Sequence, residues 1–378
     1  MVRPGKKGGL MARAGQRGGA AEQTGHGAAV VEVRVPRGTW LTRGTDGRLT
    51  AFAHTAEGVL RWTERRAGAP DWEGPDFFPV PHLDSLTVGQ GANGYTHLVG
   101  RRAVPREDAP TAVDLVHAVQ YQTGRALGTF RGLGNPHTKS PTRAARLGVP
   151  AVAVDDGGTV HVLVRNAGRG LMLRREDKTG KWEGWKDLKG SRLYDVPAAV
   201  ATSAGTVEVL APGEALTSYW VRDKAHGPFA QRPDIPLSVR SGSVRGLETS
   251  PGVVTFYWTD PANGGLVAHR PGSWLIPMGG SPVDDTLSVL RARIDGEDRT
   301  VFAYRDAAGQ VMVAMCRSEQ EQDGLWWAPS GLSGTGRPCL ALDGAGRVTL
   351  GVFGTDGRPR LSRRSDEPGL LMGPALTV

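Results

Sequence analysis

From residue 151 to residue 190 the chain alternates short apolar runs with polar breaks that carry glycine. Residues 151–154 (AVAV) are apolar, and Asp155-Asp156-Gly157-Gly158 interrupts them. The run 159–165 (TVHVLVR) is β-branched, 166–170 breaks again, 171–174 returns, and Trp182-Glu183-Gly184-Trp185 closes the unit. Apolar, β-branched runs bounded by Gly, Asn and Asp predict strands joined by tight turns. This stretch therefore predicts four short strands with three connections.

The unit recurs. One turn precedes each β-branched run, as in Asp46-Gly47, Asp156-Gly157 and Asp295-Gly296; a second follows it, as in Glu57-Gly58, Asn263-Gly264 and Asp356-Gly357. Measured on the second turn, Gly170, Gly213, Gly264, Gly309 and Gly357 are separated by 43, 51, 45 and 48 residues. Gly58 and Gly170 lie 112 apart, which is two periods. The unit between them has residues 94–100 as its β-branched run and 113–119 as its return strand, with 101–112 inserted. A period in the forties with four strands per unit predicts a β-propeller blade. Such a sheet is apolar on both faces and buries them only against neighbours in a ring.

The reading is therefore all-β: a seven-bladed β-propeller of four-stranded antiparallel blades, with a six-bladed ring and a pair of β-sandwiches as rivals. Approximate blades are 38–82, 83–147, 148–195, 196–240, 241–284, 285–335 and 336–378, in one domain spanning 30–378. Residues 30–35 (VVEVRV) are apolar at alternate positions and are expected to complete the last blade. Residues 1–29 are rich in Gly, Ala and Arg and predict a disordered basic tail.

The pattern D-G-x-L-x-x-F-x-x-x-x-x-G-x-L followed by W-x-x-W resembles the fucose-binding, PLL-like bacterial propeller lectins and the tectonin-type lectins. It is carried by Asp46, Gly47, Leu49, Phe52, Gly58 and Leu60 with Trp72, and by Asp156, Gly157 and Leu171 with Trp182 and Trp185. The resemblance covers most of the chain after residue 38 and implies glycan binding, secretion and adhesion, or service as the recognition part of a larger assembly. The units depart from that pattern by losing the paired tryptophans in blades four, five and seven, so any site is expected to be single or few.

Composition changes the picture modestly. The 54 Gly and 26 Pro of the 378 residues fall at turn positions, and 39% hydrophobic content supplies a large core. The net charge of +8 comes mainly from Arg, with only eight Lys, and favours acidic partners. No zinc-finger, RNA-recognition or helix-turn-helix pattern is present, so specific nucleic-acid binding is not expected. No apolar run is long enough for a membrane span, and no apolar region follows the basic start, which points to the cytoplasm where the lectin resemblance points to secretion. Cys316 and Cys339 leave open either a disulfide or two buried thiols.

Candidate chemistry is sought where the second strand of each unit ends, on the face where the chain enters the central strand. The matched positions are His54, Arg101 or Arg102, Arg165, Ala211, Trp258, Arg305 and Gly354. As ligand-binding residues the reading takes Trp258, Arg165, Arg305 and His54 there, and Trp182, Trp185, Trp326 and Trp327 on outer strands, because sugars need an aromatic face and planar polar groups. Trp packing between blades and solvated loop ends are the structural alternatives. An enzyme, lyase or hydrolase, would draw on His54, Tyr257, Tyr304, Arg165 and Arg305, with His97 and His117 as further acid–base candidates. Asp114, Glu248 and Asp260 offer carboxylates but no spacing that singles out a pair. No metal site and no cofactor are expected. A protein-interaction scaffold would use the insertion 101–112 and the basic loop 128–147, with Arg131, Lys139, Arg143 and Arg146. The leading reading is a non-catalytic, carbohydrate-binding, lectin-like propeller, with a glycan or small molecule as its partner.

Overall fold

A computed structural model describes residues 32–194 and 196–378; the expected tail 1–29, and Val30 and Val31, lie outside the described residues. The described chain forms seven sheets in sequence order, each an antiparallel meander whose first strand is innermost. Blade 1 comprises Leu41–Arg43, Leu49–Thr55, Gly58–Glu64 and Trp72–Pro79. The innermost strands of blades 2 to 7 are Leu83–Gln90, Ala151–Val154, Ala198–Ala201, Arg245–Ser250, Ser288–Ile294 and Thr335–Leu342. The protein is a seven-bladed β-propeller.

The first hairpin of every blade turns on a glycine with φ between 76° and 80°, Gly94 in blade 2 and Gly346 in blade 7 among them. That region is cheap only for glycine, which is why the sequence repeats it there.

Seven apolar clusters form among the described residues, and each fills one blade-to-blade interface. Successive strand residues point to opposite faces, so each blade feeds two interfaces. Trp258 enters the cluster between blades 4 and 5, while the adjacent Tyr257 enters the one between blades 5 and 6. Cys316 belongs to the blade 5–6 cluster and Cys339 to the blade 7–1 cluster; both are free, with burial pushing each thiol up to about 12. The disulfide alternative is thereby excluded.

The ring closes differently from expectation. The last blade is completed by its own C-terminal strand, Leu376–Thr377, rather than by residues 32–35, the described part of the segment expected there. Of that segment, Arg34 exchanges backbone hydrogen bonds with His54 in blade 1 (2.7 and 3.0 Å), and Val33 and Val35 pack on the blade 7–1 cluster. The chain then turns inside the ring, where Arg37–Gly38 pairs in parallel with the innermost strand of blade 2. Closure therefore rests on side chains: Trp40 meets Phe353 at a ring separation of 4.7 Å, and its Nε1 donates to the Arg337 carbonyl at 3.1 Å.

The meander gives the ring two unlike faces. The front face carries the turns between second and third strands and the links between blades. The back face carries the first hairpin turns and the links between third and fourth strands. In blade 2 the second and third strands, Thr96–Val104 and Ala112–Gln120, are longer than the pattern predicts. Arg101 and Arg102 accordingly lie within a strand, ion-paired to Asp84 and Asp114, and not at a loop end.

Candidate ligand-binding surfaces

The front-face positions do not converge. His54 is 3% exposed, and burial holds its imidazole at about 4, against an ordinary value near 6.5. Trp258 is 1% exposed, its ring inclined at 65° to that of His269 at 5.7 Å, so it presents no face to a ligand. Arg305 is half-buried and donates through Nε to the Gly336 carbonyl (3.0 Å), tying blade 6 to blade 7. Arg165 is half-buried at the end of its strand, and its carbonyl accepts from Gly148 N–H at 2.9 Å. The end of a second strand is read in the sequence as a loop end, but in this ring it is roofed by the link from the preceding blade.

Tyr257 and Tyr304 share the blade 5–6 cluster with Trp327. The Tyr257 hydroxyl donates to the buried Glu321 carboxylate at 2.8 Å; burial and that charge hold the phenol well above its usual value. The Tyr304 hydroxyl accepts from Ser281 N–H at 3.1 Å. His97 and His117 stack in the blade 2–3 interface with ring nitrogens 3.1 Å apart, and Trp182 stands edge-on to His117 at 5.1 Å. Burial holds these imidazoles at about 4 and about 3, so both are neutral at pH 7. The tyrosine candidates thus lie in one interface and the His97–His117 pair in another. Among the described residues no group of three or more His, Cys, Asp or Glu side chains is placed to hold a metal ion, and no helix is long and apolar enough to cross a membrane.

Four of the expected tryptophans lie just before outer strands rather than on them, on the back face. Trp185 is half-buried, with Nε1 donating to the Leu133 carbonyl (3.3 Å) and the Arg174 guanidinium 6.0 Å from its ring. Trp182 is half-buried on the blade 2–3 cluster. Trp327 turns inward, meets Tyr304 edge-on at 4.7 Å and donates to the Met278 carbonyl of blade 5 at 3.0 Å. Trp326 turns outward and is 90% exposed.

Trp326 has company. Nine large apolar residues are exposed among the described residues, and seven of them lie on the back face: Tyr95, Tyr121, Val253, Trp274, Leu275, Trp326 and Leu371. Trp274 is 91% exposed and occupies in blade 5 the same connection that Trp326 occupies in blade 6. Tyr95 and Tyr121 meet edge to face at 5.1 Å on blade 2. Sequence reasoning missed Trp274. A signal existed, because Pro271-Gly272-Ser273-Trp274 places the indole in a turn instead of in a strand register.

The axis holds a cavity of about 500 Å³, lined by the innermost strands of blades 2 to 7 and by residues 37–39. Small and aliphatic side chains line its middle, such as Ala151, Ala153, Ala199 and Val289. Arg37, Arg245 and Arg337 line its front mouth, and Gln90, Glu248 and Arg291 line its back end. The basic loop side chains Arg131, Lys139, Arg143 and Arg146 are all exposed.

No family profile and no curated protein matches the sequence. Solved structures do match. The chain is similar to the BP39L lectin from Burkholderia pseudomallei, with a TM-score of 0.65, 11% identity and coverage of 90% of this chain and 98% of that one. It is similar to an ulvan lyase from a new family of polysaccharide lyases, with a TM-score of 0.54, 10% identity, and 92% and 95% coverage. It is similar to AofleA from Arthrobotrys oligospora, with a TM-score of 0.52, 10% identity, and 91% and 95% coverage. At these identities the likeness is one of fold, and the fold it shares with them is the β-propeller.

Proposed function

We propose that the protein is a non-catalytic carbohydrate-binding propeller that holds a glycan on its back face, with Trp274 and Trp326 as the stacking platforms. The observation that carries this reading is the pair of indoles, each at least 90% exposed, in equivalent connections of adjacent blades. An exposed apolar surface confined to one face marks an interaction site. An indole offers a flat apolar surface to the C–H face of a pyranose while its N–H stays available for a hydroxyl. The lectin character of the BP39L structure supports the same reading.

A glycan-array screen of the purified protein tests it, alongside Trp274→Ala and Trp326→Ala. Binding to a defined set of glycans that falls at least tenfold in either variant is expected. Absence of binding to any glycan, or binding unchanged in both variants and in their combination, overturns the reading.

A further inference from the structure

The front mouth of the axial cavity gathers more positive charge than its neighbours balance. Arg37 Nη1 lies 2.9 Å from Asp285 Oδ2, and Arg337 pairs with the same carboxylate through Nη2. Arg245 has no carboxylate within ion-pair distance among the described residues. It donates instead to four backbone carbonyls: Leu287 (2.9 Å), Gly242 (3.0 Å), Val244 (2.6 Å) and Asp285 (2.7 Å). Two guanidiniums therefore share one carboxylate and the third has none, which leaves the mouth with an excess of positive charge.

All three arginines line the cavity; Asp285 does not, although its side chain is 27% exposed, about as much as that of Arg37 at 28%. Arg337 is 7% exposed and is fixed by the Asp285 and Pro36 carbonyls as well as by the Asp285 carboxylate. Arg37 makes its one ion pair and no further side-chain hydrogen bond among the described residues, so most of its five donors remain available. Burial, reinforced by the Arg337 charge, draws Arg245 well below its ordinary value. The back end does not compete for the same ligand. There Glu248 accepts from Ser203 N (2.9 Å), Ser203 Oγ (2.7 Å) and Gly252 N (2.7 Å), and Arg291 is engaged by Asp298.

We infer that this mouth is a binding site for an oxyanion, the carboxylate or sulfate group of a small ligand, which takes its hydrogen bonds chiefly from Arg37 while Arg245 and Arg337 supply positive charge beside it. Planar guanidinium forks match the paired oxygens of such groups, and a low-dielectric wall strengthens the attraction. The aliphatic middle of the cavity would receive the uncharged remainder of the ligand. The site is independent of the back-face indoles.

Calorimetric titration at fixed ionic strength, balanced with chloride, tests the inference on the full chain. The probes are sodium sulfate for a free anion, glucuronate for a carboxylated sugar and glucose as the neutral control. Saturable binding of sulfate or glucuronate, with none of glucose, is expected; the relative strength of the two arms tells whether a free ion or a sugar-borne carboxylate fits. Arg37→Gln, which alters a side chain on the cavity wall and not in a blade interface, is expected to weaken binding at least tenfold. Asp285→Asn removes the internal rival for the guanidiniums and is expected to tighten binding. The absence of saturable binding to the unmodified protein, or binding unchanged in Arg37→Gln, overturns the inference. Either result leaves the glycan reading of the back face standing on its own test.

Discussion

Trp258→Ala separates an interface tryptophan from a ligand tryptophan. The Trp258 ring is 1% exposed and packs with Tyr219, Phe256 and Val267 between blades 4 and 5. A buried Trp removes about 150–250 Å² from water. At about 25 cal/mol per Å² the transfer loss is about 4–6 kcal/mol, in line with the ~3–5 kcal/mol typical of Trp→Ala in a core. A domain of this size has an unfolding entropy near 0.7 kcal/mol per degree, from about 2.1 cal/mol/K for each residue. A loss of ~4 kcal/mol therefore lowers Tm by about 5–6 °C. Differential scanning calorimetry reads the shift, and glycan binding is measured on the same sample well below Tm. The expected result is a clearly less stable protein that binds as before. A variant with unchanged Tm and abolished binding refutes the reasoning, because it places Trp258 against ligand rather than against blade 4.

Buried histidines should make the fold acid-sensitive. His54, His97 and His161 are held at about 4 and His117 at about 3, chiefly by burial, whereas the unfolded chain titrates near 6.5. Between those values the unfolded chain binds protons that the folded chain refuses. Stability is therefore fully present above pH 6.5 and falls as pH drops toward 4, by up to about 1.4 kcal/mol per pH unit for each histidine. Urea midpoints measured from pH 7.5 to 4.5 check this: His97→Gln is expected to flatten the slope by close to one proton, and a flat profile in the unmodified protein contradicts the account. Arg222 is fully buried, donates to Asp155 Oδ2 at 2.7 Å and to His161 Nε2 at 3.2 Å, and joins blade 4 to blade 3. Arg222→Ala strands that carboxylate and is expected to cost about 3–5 kcal/mol, with partial recovery on adding Asp155→Asn; an unfolding free energy from urea titration within ~0.5 kcal/mol of the unmodified protein contradicts the role.

The fold was legible because its requirements are local and repeated. The glycine of each first hairpin must take positive φ, and the strands beside it must be apolar on both sides, so turn and strand signals recur with the blade. Ring closure was not legible, because the alternation in residues 30–35 says that a strand forms and not which edge receives it. The site was only partly legible. Trp326 and Trp327 are neighbours on one extended segment, so alternation sends one inward and one outward, and here Trp327 is the inward one. Trp258 has the composition of a ligand residue, but whether an indole meets sugar or a neighbouring blade depends on the interface built around it. The arginine mouth was invisible, since Arg37, Arg245 and Arg337 come together only when the first described strand, blade 5 and blade 7 meet at the axis.

The claim that the back face holds the ligand is tested most directly by quenching tryptophan fluorescence with acrylamide, with and without the best glycan from the array. Trp274 and Trp326 are the two strongly exposed indoles among the described residues, so the accessible fraction of the emission belongs mainly to them. The account predicts that the glycan shields this fraction, and that shielding disappears in the Trp274→Ala, Trp326→Ala double variant. Glycan bound at saturation with the accessible fraction unchanged contradicts it.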